Sequence, residues 1–156
     1  MKIILVLTFL ILSFSYLSAQ DGLPSARRIK EPSSFMEVPA HLKTRIDIFF
    51  NQLIKNDVKE AYDNLLTSSP ISRQKADIDN LLSQTHRAFD IYGKLSGFEP
   101  VNAEIATESY IRLRYLGLHG NFPVRWIFTF YRSPEKDWIV TNIKFDDLSE
   151  YLFKGD

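Results

Sequence analysis

His86 and Asp90 are the pair of residues in this sequence whose types and spacing come nearest to a catalytic couple. They lie four positions apart in a segment of helical periodicity, where a carboxylate can orient an imidazole as a general base. The same spacing more often reflects an ordinary contact on a helix surface. The sequence therefore keeps His86 as a candidate and assigns no catalytic residue.

Other signatures of reaction chemistry are missing from the sequence. The chain has no cysteine and three histidines, and the spacing of His41, His86 and His119 makes no metal set. No nucleophile elbow, zinc-protease helix motif or phosphate loop is present. We therefore expect no metal and no cofactor, and we favour a protein without enzymatic activity.

Four segments of alternating apolar residues between Val101 and Phe145 predict an antiparallel sheet with one apolar face. A type I′ turn centred on Gly120 and Asn121 would set the central register, and three loop lengths then agree on one face. The central hairpin pairs Tyr115 with Trp126, Leu113 with Phe128 and Ile111 with Phe130. The first flanking hairpin places Ile105, Ala103 and Val101 opposite Ile111, Leu113 and Tyr115. The last hairpin places Ile139, Thr141, Ile143 and Phe145 opposite Phe130, Phe128, Trp126 and Val124.

The residues before the sheet predict the helices that must cover its apolar face. The first helix spans residues 39–56, a second begins at a capping-box-like Asp57 and Glu60, and a third runs from 72 to 93. A short terminal helix is expected over 147–153. The predicted fold class is α+β, with N-terminal helices packed on one face of a curved, cone-shaped, four-stranded antiparallel sheet.

The first 19 residues have the arrangement of a secretory signal peptide, with Lys2, an apolar run and small residues up to Ala19. The run is shorter than the ~20 residues that span a bilayer, which favours cleavage over a retained anchor. Residues 20–33 predict a disordered leader and residues 34–153 one domain. We thus expect an exported protein, periplasmic or secreted, that is free of the membrane after cleavage.

The charge balance argues against one class of partner. Nineteen basic residues offset nineteen acidic residues, whereas nucleic-acid-binding proteins concentrate positive charge. We therefore expect no nucleic acid partner.

Three passages carry a resemblance to a known family: residues 57–62, 92–99 and 137–140. With helices preceding a curved sheet, they resemble the nuclear transport factor 2-like superfamily of cystatin-like cone folds, and in particular its small exported members of unassigned function. The resemblance implies the fold. It implies no single activity, because the superfamily includes isomerases, dehydratases, ligand binders and transport adaptors.

Five residues are predicted to lie near the interior at the open end of the cone. They are Tyr62, His86, Tyr92, Tyr115 and Trp126. The aromatic side chains among them could line a cavity for a small apolar ligand. Aromatic residues on a core face, however, are more often part of ordinary packing.

The opposite face of the sheet, here called the outer face, interleaves arginines with aromatic residues. The candidate interface residues are Tyr110, Arg112, Arg114, Arg125, Tyr131 and Trp138. Such residues suit an interface, although arginine stems can also cover the rings of a solvated face. The sequence therefore predicts an exported, non-enzymatic interaction module that forms a homodimer through this face. Binding of a small apolar ligand, and less so an isomerase or dehydratase activity, are the alternatives.

Overall fold

The computed structural model describes residues 32–153. Three helices precede a four-stranded antiparallel sheet of order β1-β2-β3-β4, which is curled but not closed, and the predicted α+β class is confirmed. The elements are α1 (Ala40–Ile54), α2 (Val58–Leu65), α3 (Lys75–Tyr92), β1 (Leu95–Thr107), β2 (Tyr110–His119), β3 (Val124–Arg132) and β4 (Trp138–Asp146). Three short 3-10 turns are η1 (Ser33–Phe35), η2 (Pro70–Arg73) and η3 (Ser149–Leu152).

The predicted signal peptide, residues 1–19, lies outside the described residues, as does the predicted leader up to residue 31. Ser33, the last residue of that leader, already begins η1. Ser34 Oγ accepts a hydrogen bond of 3.0 Å from the backbone N–H of Ala103, and Phe35 is fully buried. From Pro32 to Phe153, no helix is both long and apolar enough to cross a membrane.

The helices follow the predicted apolar periodicity, but their starts differ in detail. The Asp57 side chain makes no capping hydrogen bond to α2, so the predicted capping box is wrong. The third helix begins at Lys75 because the preceding residues wind into η2, where Ser69 Oγ accepts a hydrogen bond from the Ile71 N–H. Gly93, with φ of +87°, ends α3 as expected.

The register of the central hairpin, β2 with β3, is confirmed pair by pair. The predicted type I′ turn is wrong, because neither Gly120 nor Asn121 has the positive φ that this turn requires. The connection instead contacts the end of α3, where the Asn121 N–H donates to the Tyr92 carbonyl oxygen at 2.8 Å. The conformation of this loop therefore occurs together with a contact to α3, which the sequence of the loop itself does not indicate.

The predicted register of β4 is also wrong. Phe128 pairs with Ile143, and Phe130 pairs with Val140, so Thr141 is an extra residue between these pairs, a β-bulge. A shift of one residue exchanges the faces of a strand. Trp138, together with Val140, therefore joins the buried core, which corrects its assignment to the outer face.

The β1 register departs from the prediction at one position. Ile105 and Ala103 pair with Ile111 and Leu113 as predicted, but Pro100 takes the predicted place of Val101 opposite Tyr115. Proline lacks an N–H donor and is tolerated where a strand lies at the edge of a sheet. The irregularity at Val101 thus falls on an edge strand.

Aromatic side chains from α1, α2 and the sheet form the centre of the core. The Phe49 ring makes edge contacts with Tyr62, Trp126 and Phe128, with centroid separations of 5.2, 5.5 and 5.5 Å. Trp126 also stacks on Phe145 at 4.4 Å. Aromatic pairs of this geometry stabilise a core by about 0.5–1.5 kcal/mol each beyond the burial of their area.

Arg45 joins three elements at the edge of this core. Its Nη1 donates to the Trp138 carbonyl oxygen and its Nη2 to the Leu65 carbonyl oxygen, each at 2.7 Å. The guanidinium carbon lies 5.5 Å from the centroid of the Phe130 ring. Burial lowers the pKa of Arg45, while the nearby Asp137 carboxylate acts in the opposite direction. One side chain from α1 thus connects the end of α2 to β4.

Gly117 provides a test of how tightly the core is packed. A Cβ at Gly117 would lie 2.9 Å from Trp126 Nε1, whereas a Cβ at Gly120 would meet no atom within 4 Å. Because the buried indole cannot move freely, we expect Gly117→Ala to lower the free energy of unfolding by about 1–3 kcal/mol. Gly120→Ala should change it by less than about 1 kcal/mol. Urea unfolding of both variants checks this, and equal effects would contradict the described packing.

Candidate functional site

The residues of the predicted pocket do not share one cavity lining. Tyr62, Tyr115 and Trp126 are buried in the core, His86 is exposed on α3, and Tyr92 is partly exposed at the end of that helix. The Tyr62 hydroxyl lies 2.8 Å from Thr85 Oγ1, and burial raises the pKa of its phenol. The Tyr92 hydroxyl donates to Asp147 at 3.1 Å. Three of the five residues therefore contribute to packing.

The outer face carries the residues that the central register predicts. Tyr110, Arg112 and Arg114 of β2 pair with Tyr131, Thr129 and Ile127 of β3, and Arg125 pairs with Leu116. Beyond the bulge, β4 adds Asn142, Lys144 and Asp146 to the same face. Because Trp138 and Val140 point to the core, β4 contributes less apolar surface to this face than predicted.

A groove of about 330 Å³ lies on the outer face. Its charged lining consists of three cations, Arg112, Arg125 and Lys144, and one carboxylate, Asp146. We call it the cationic groove. Ile127 contributes apolar surface from β3, and Leu148 and Tyr151 contribute it from the segment after β4.

Two arginines beside each other on β2 have different surroundings. Arg114 is 5% exposed, and its Nη1 donates to Glu104 Oε1 on β1 at 2.6 Å. Arg112 Nη1 lies 3.5 Å from the other oxygen of Glu104, and 46% of the Arg112 side chain is exposed. Since a buried cation needs close pairing, Arg114 serves mainly to hold the sheet together, while Arg112 reaches the groove.

Arg125 is the most fully paired cation of the groove. Its Nε and Nη2 donate to the two carboxylate oxygens of Asp146 at 3.0 and 2.9 Å. The Tyr151 ring lies over the guanidinium, with 5.7 Å from Cζ to the ring centroid. This combination of a bidentate carboxylate and an aromatic ring is a characteristic environment for arginine.

Three residues of the groove were missed from sequence. Asp146 was missed because the predicted sheet ended at Phe145, whereas β4 continues to Asp146, which lies at the same parity as Asn142 and Lys144. Leu148 and Tyr151 carry no periodic signal, since they lie in and next to η3, which folds back towards β3. In the part of the chain that the structure describes, no three His, Cys, Asp or Glu residues lie close enough to hold a metal ion.

A second, more apolar cavity of about 460 Å³ lies between η2, α3 and β4. Ile71, Leu81 and Ile143 supply its apolar lining, and Asp77 is its charged residue. It has no cluster of titratable groups. The cationic groove therefore remains the site with the clearer recognition chemistry.

No family model, no curated protein and no solved structure matches this chain. The fold and the site define a class by themselves: an α+β domain with helices on one face of an open antiparallel sheet and a cationic groove on the other. The resemblance to the nuclear transport factor 2-like superfamily stays a prediction.

His119 connects the β2–β3 turn to the end of α3. Its Nδ1 lies 2.7 Å from the Gly93 carbonyl oxygen, so that nitrogen carries the proton and donates. The rings of Phe89 and Tyr92 lie 5.7 and 6.4 Å away. Burial lowers the pKa of His119, and the hydrogen bond to Gly93 partly opposes that shift.

This lowered pKa predicts a loss of stability in mild acid. As the pH falls below the ordinary value of 6.5, the unfolded chain binds a proton before the folded chain does, so the free energy of unfolding decreases. His119→Asn keeps an N–H donor near Gly93, but asparagine does not titrate. The substitution should therefore remove the part of the pH-dependent loss of stability that comes from His119. Urea unfolding between about pH 5 and 8 measures the free energy of unfolding of both proteins. His86→Asn, at an exposed position, is the control, and an unchanged pH dependence in His119→Asn would contradict the assignment.

Proposed function

We propose that this chain is a non-enzymatic binding module that docks an acidic segment of a partner protein in the cationic groove. The observation that carries the proposal is the lining of the groove, where Arg112, Arg125 and Lys144 meet one carboxylate, Asp146. Opposite charges across an interface increase the rate of association and select the partner. An extended segment rich in Glu or Asp complements this lining.

The geometry of the groove favours carboxylates in particular. Guanidinium groups bind carboxylates through two parallel hydrogen bonds, and Arg125 already makes that arrangement within the chain. Ile127, Leu148 and Tyr151 add apolar surface beside the charges. An aromatic ring and arginines next to each other are typical of residues that contribute most to binding.

The alternatives predicted from sequence have less support. The inner aromatic rings contact one another, which disfavours a large central cavity for an apolar ligand. His86 is exposed on α3, away from the interior that an isomerase or dehydratase would use. Self-association drew its support partly from Trp138 and Val140, which belong to the core. We therefore place an acidic partner ahead of a homodimer.

We also propose a compartment and a family for this protein, and both rest on the sequence. The apolar run before Ala19 supports export of the module to the periplasm or the medium. The order of helices and strands is consistent with a nuclear transport factor 2-like domain. The overall balance of charge supports a protein partner over nucleic acid, whose binding needs many cationic contacts.

A labelled peptide that alternates Glu and Ser tests the proposal by fluorescence anisotropy with the full chain. Arg112→Ser and Lys144→Ser should each weaken binding by about fivefold, the effect of losing a partly exposed ion pair. Arg73→Ser and Lys94→Ser are matched controls at exposed positions outside the groove. Binding should also weaken as salt is added.

Several outcomes would overturn this proposal. Equal binding of a Gln-Ser peptide would show that charge is not recognised, and equal effects of the control substitutions would place the site elsewhere. Tighter binding of a single-stranded oligonucleotide would indicate a nucleic acid partner. A dimer in sedimentation experiments that Arg112→Ser and Lys144→Ser dissociate would indicate that a second copy occupies the groove.

A further inference from the structure

Asp146 occupies the cationic groove from within the chain. Both of its carboxylate oxygens accept hydrogen bonds from the Arg125 guanidinium, at 3.0 and 2.9 Å. A free carboxylate on a partner would bind arginine with the same side-by-side geometry. Asp146 therefore holds the position that an arriving Glu or Asp side chain would take.

The same carboxylate also fastens the segment that follows β4. Asp146 Oδ1 accepts a hydrogen bond of 3.1 Å from the Leu148 N–H, just before η3. From η3, the Tyr151 ring lies over the guanidinium of Arg125. The position of η3 is thus linked to the Arg125–Asp146 pair by contacts at both residues.

Exposure decides how a partner can reach Arg125. The Arg125 side chain is 10% exposed, whereas that of Asp146 is 30% exposed. Asp146 and Tyr151 both lie against the guanidinium, so an incoming carboxylate meets them first. Binding at Arg125 therefore requires that these two side chains move.

We infer that Asp146 is an internal competitor for the acidic partner, and that exchange of carboxylates on Arg125 releases η3 from the sheet. The inference rests on the proposed function. Exchange replaces one carboxylate by another, so the poorly exposed Arg125 charge stays paired throughout. The displaced Asp146 passes into water, and η3 loses the two contacts described above, one with Asp146 and one with Arg125.

An internal competitor reduces the apparent affinity by the fraction of molecules in which it occupies the site. Asp146→Asn keeps the shape of the side chain and an acceptor for the Leu148 N–H but removes the competing charge. Asp147→Asn removes the same charge one residue away, from a carboxylate that is absent from the groove lining and accepts the Tyr92 hydroxyl. Comparison of the two variants separates competition at Arg125 from the general effect of one negative charge.

We expect Asp146→Asn to bind the Glu-Ser peptide at least about fivefold more tightly than Asp147→Asn does. Hydrogen exchange of the unsubstituted chain gives a second readout that does not depend on any variant. Saturation with the Glu-Ser peptide should accelerate exchange of the backbone amides of Leu148 and Tyr151, while amides in β3 stay protected. The Gln-Ser peptide should leave all of these amides unchanged.

The outcomes distinguish this inference from the proposed function. Suppose that the unsubstituted chain binds the Glu-Ser peptide but that the two variants bind it equally well, or that the η3 amides become more protected. Then the proposed exchange of carboxylates is wrong, while the proposed docking of an acidic segment is supported. If neither the unsubstituted chain nor Asp146→Asn binds the peptide, both the proposed docking and the proposed exchange of carboxylates are wrong. If the Asp146→Asn variant binds the peptide and the unsubstituted chain does not, the result supports Asp146 as an internal competitor that prevents the peptide from binding.

Discussion

Thr141, the extra residue in β4, determines which side chains the two faces of the sheet carry. Trp138 and Val140 occupy even positions of the strand, whereas Ile143 and Phe145 occupy odd ones, so a regular strand could bury only one of these pairs. The bulge lets both pairs contribute to the core. The Thr141 hydroxyl also donates to the Thr129 carbonyl oxygen at 3.3 Å. On the other side of the bulge, Lys144 and Asp146 pair with Ile127 and Arg125 on the outer face.

Sequence periodicity was sufficient for the central hairpin but not for its neighbours. Alternation alone placed Arg112, Arg114 and Arg125 on the same face, since β2 and β3 pair without irregularity. In β4, two apolar patterns of opposite parity meet, and no local signal indicates where the extra residue falls. The loop at Gly120 is shaped in contact with the end of α3, which is distant in sequence. The helices were predicted well because their apolar stripes are continuous, as in α1.

The candidate site likewise has residues that the sequence predicts and residues that it does not. The arginines of the groove could be predicted from strand parity. Asp146 lies one residue past the predicted end of the sheet, and Leu148 and Tyr151 belong to a turn without periodicity. Aromatic residues cannot be assigned to a pocket or to a core from sequence, because both environments favour them. Tyr62, Tyr115 and Trp126 pack in the core. What separates the two cases is whether rings from other elements fill the space between them, and here Phe49 and Phe50 from α1 do so.

β4 lies at the edge of the sheet, and an edge strand offers its outward carbonyl groups to any other extended chain. Two of these groups are already engaged by side chains. Arg45 donates to the Trp138 carbonyl oxygen, and the buried Ser69 hydroxyl donates to the Val140 carbonyl oxygen at 2.6 Å. Together with the bulge, these bonds deny an incoming strand a regular ladder along this half of β4. Helix α1 and the turn before η2 thereby protect the protein against polymerisation by sheet extension at this edge.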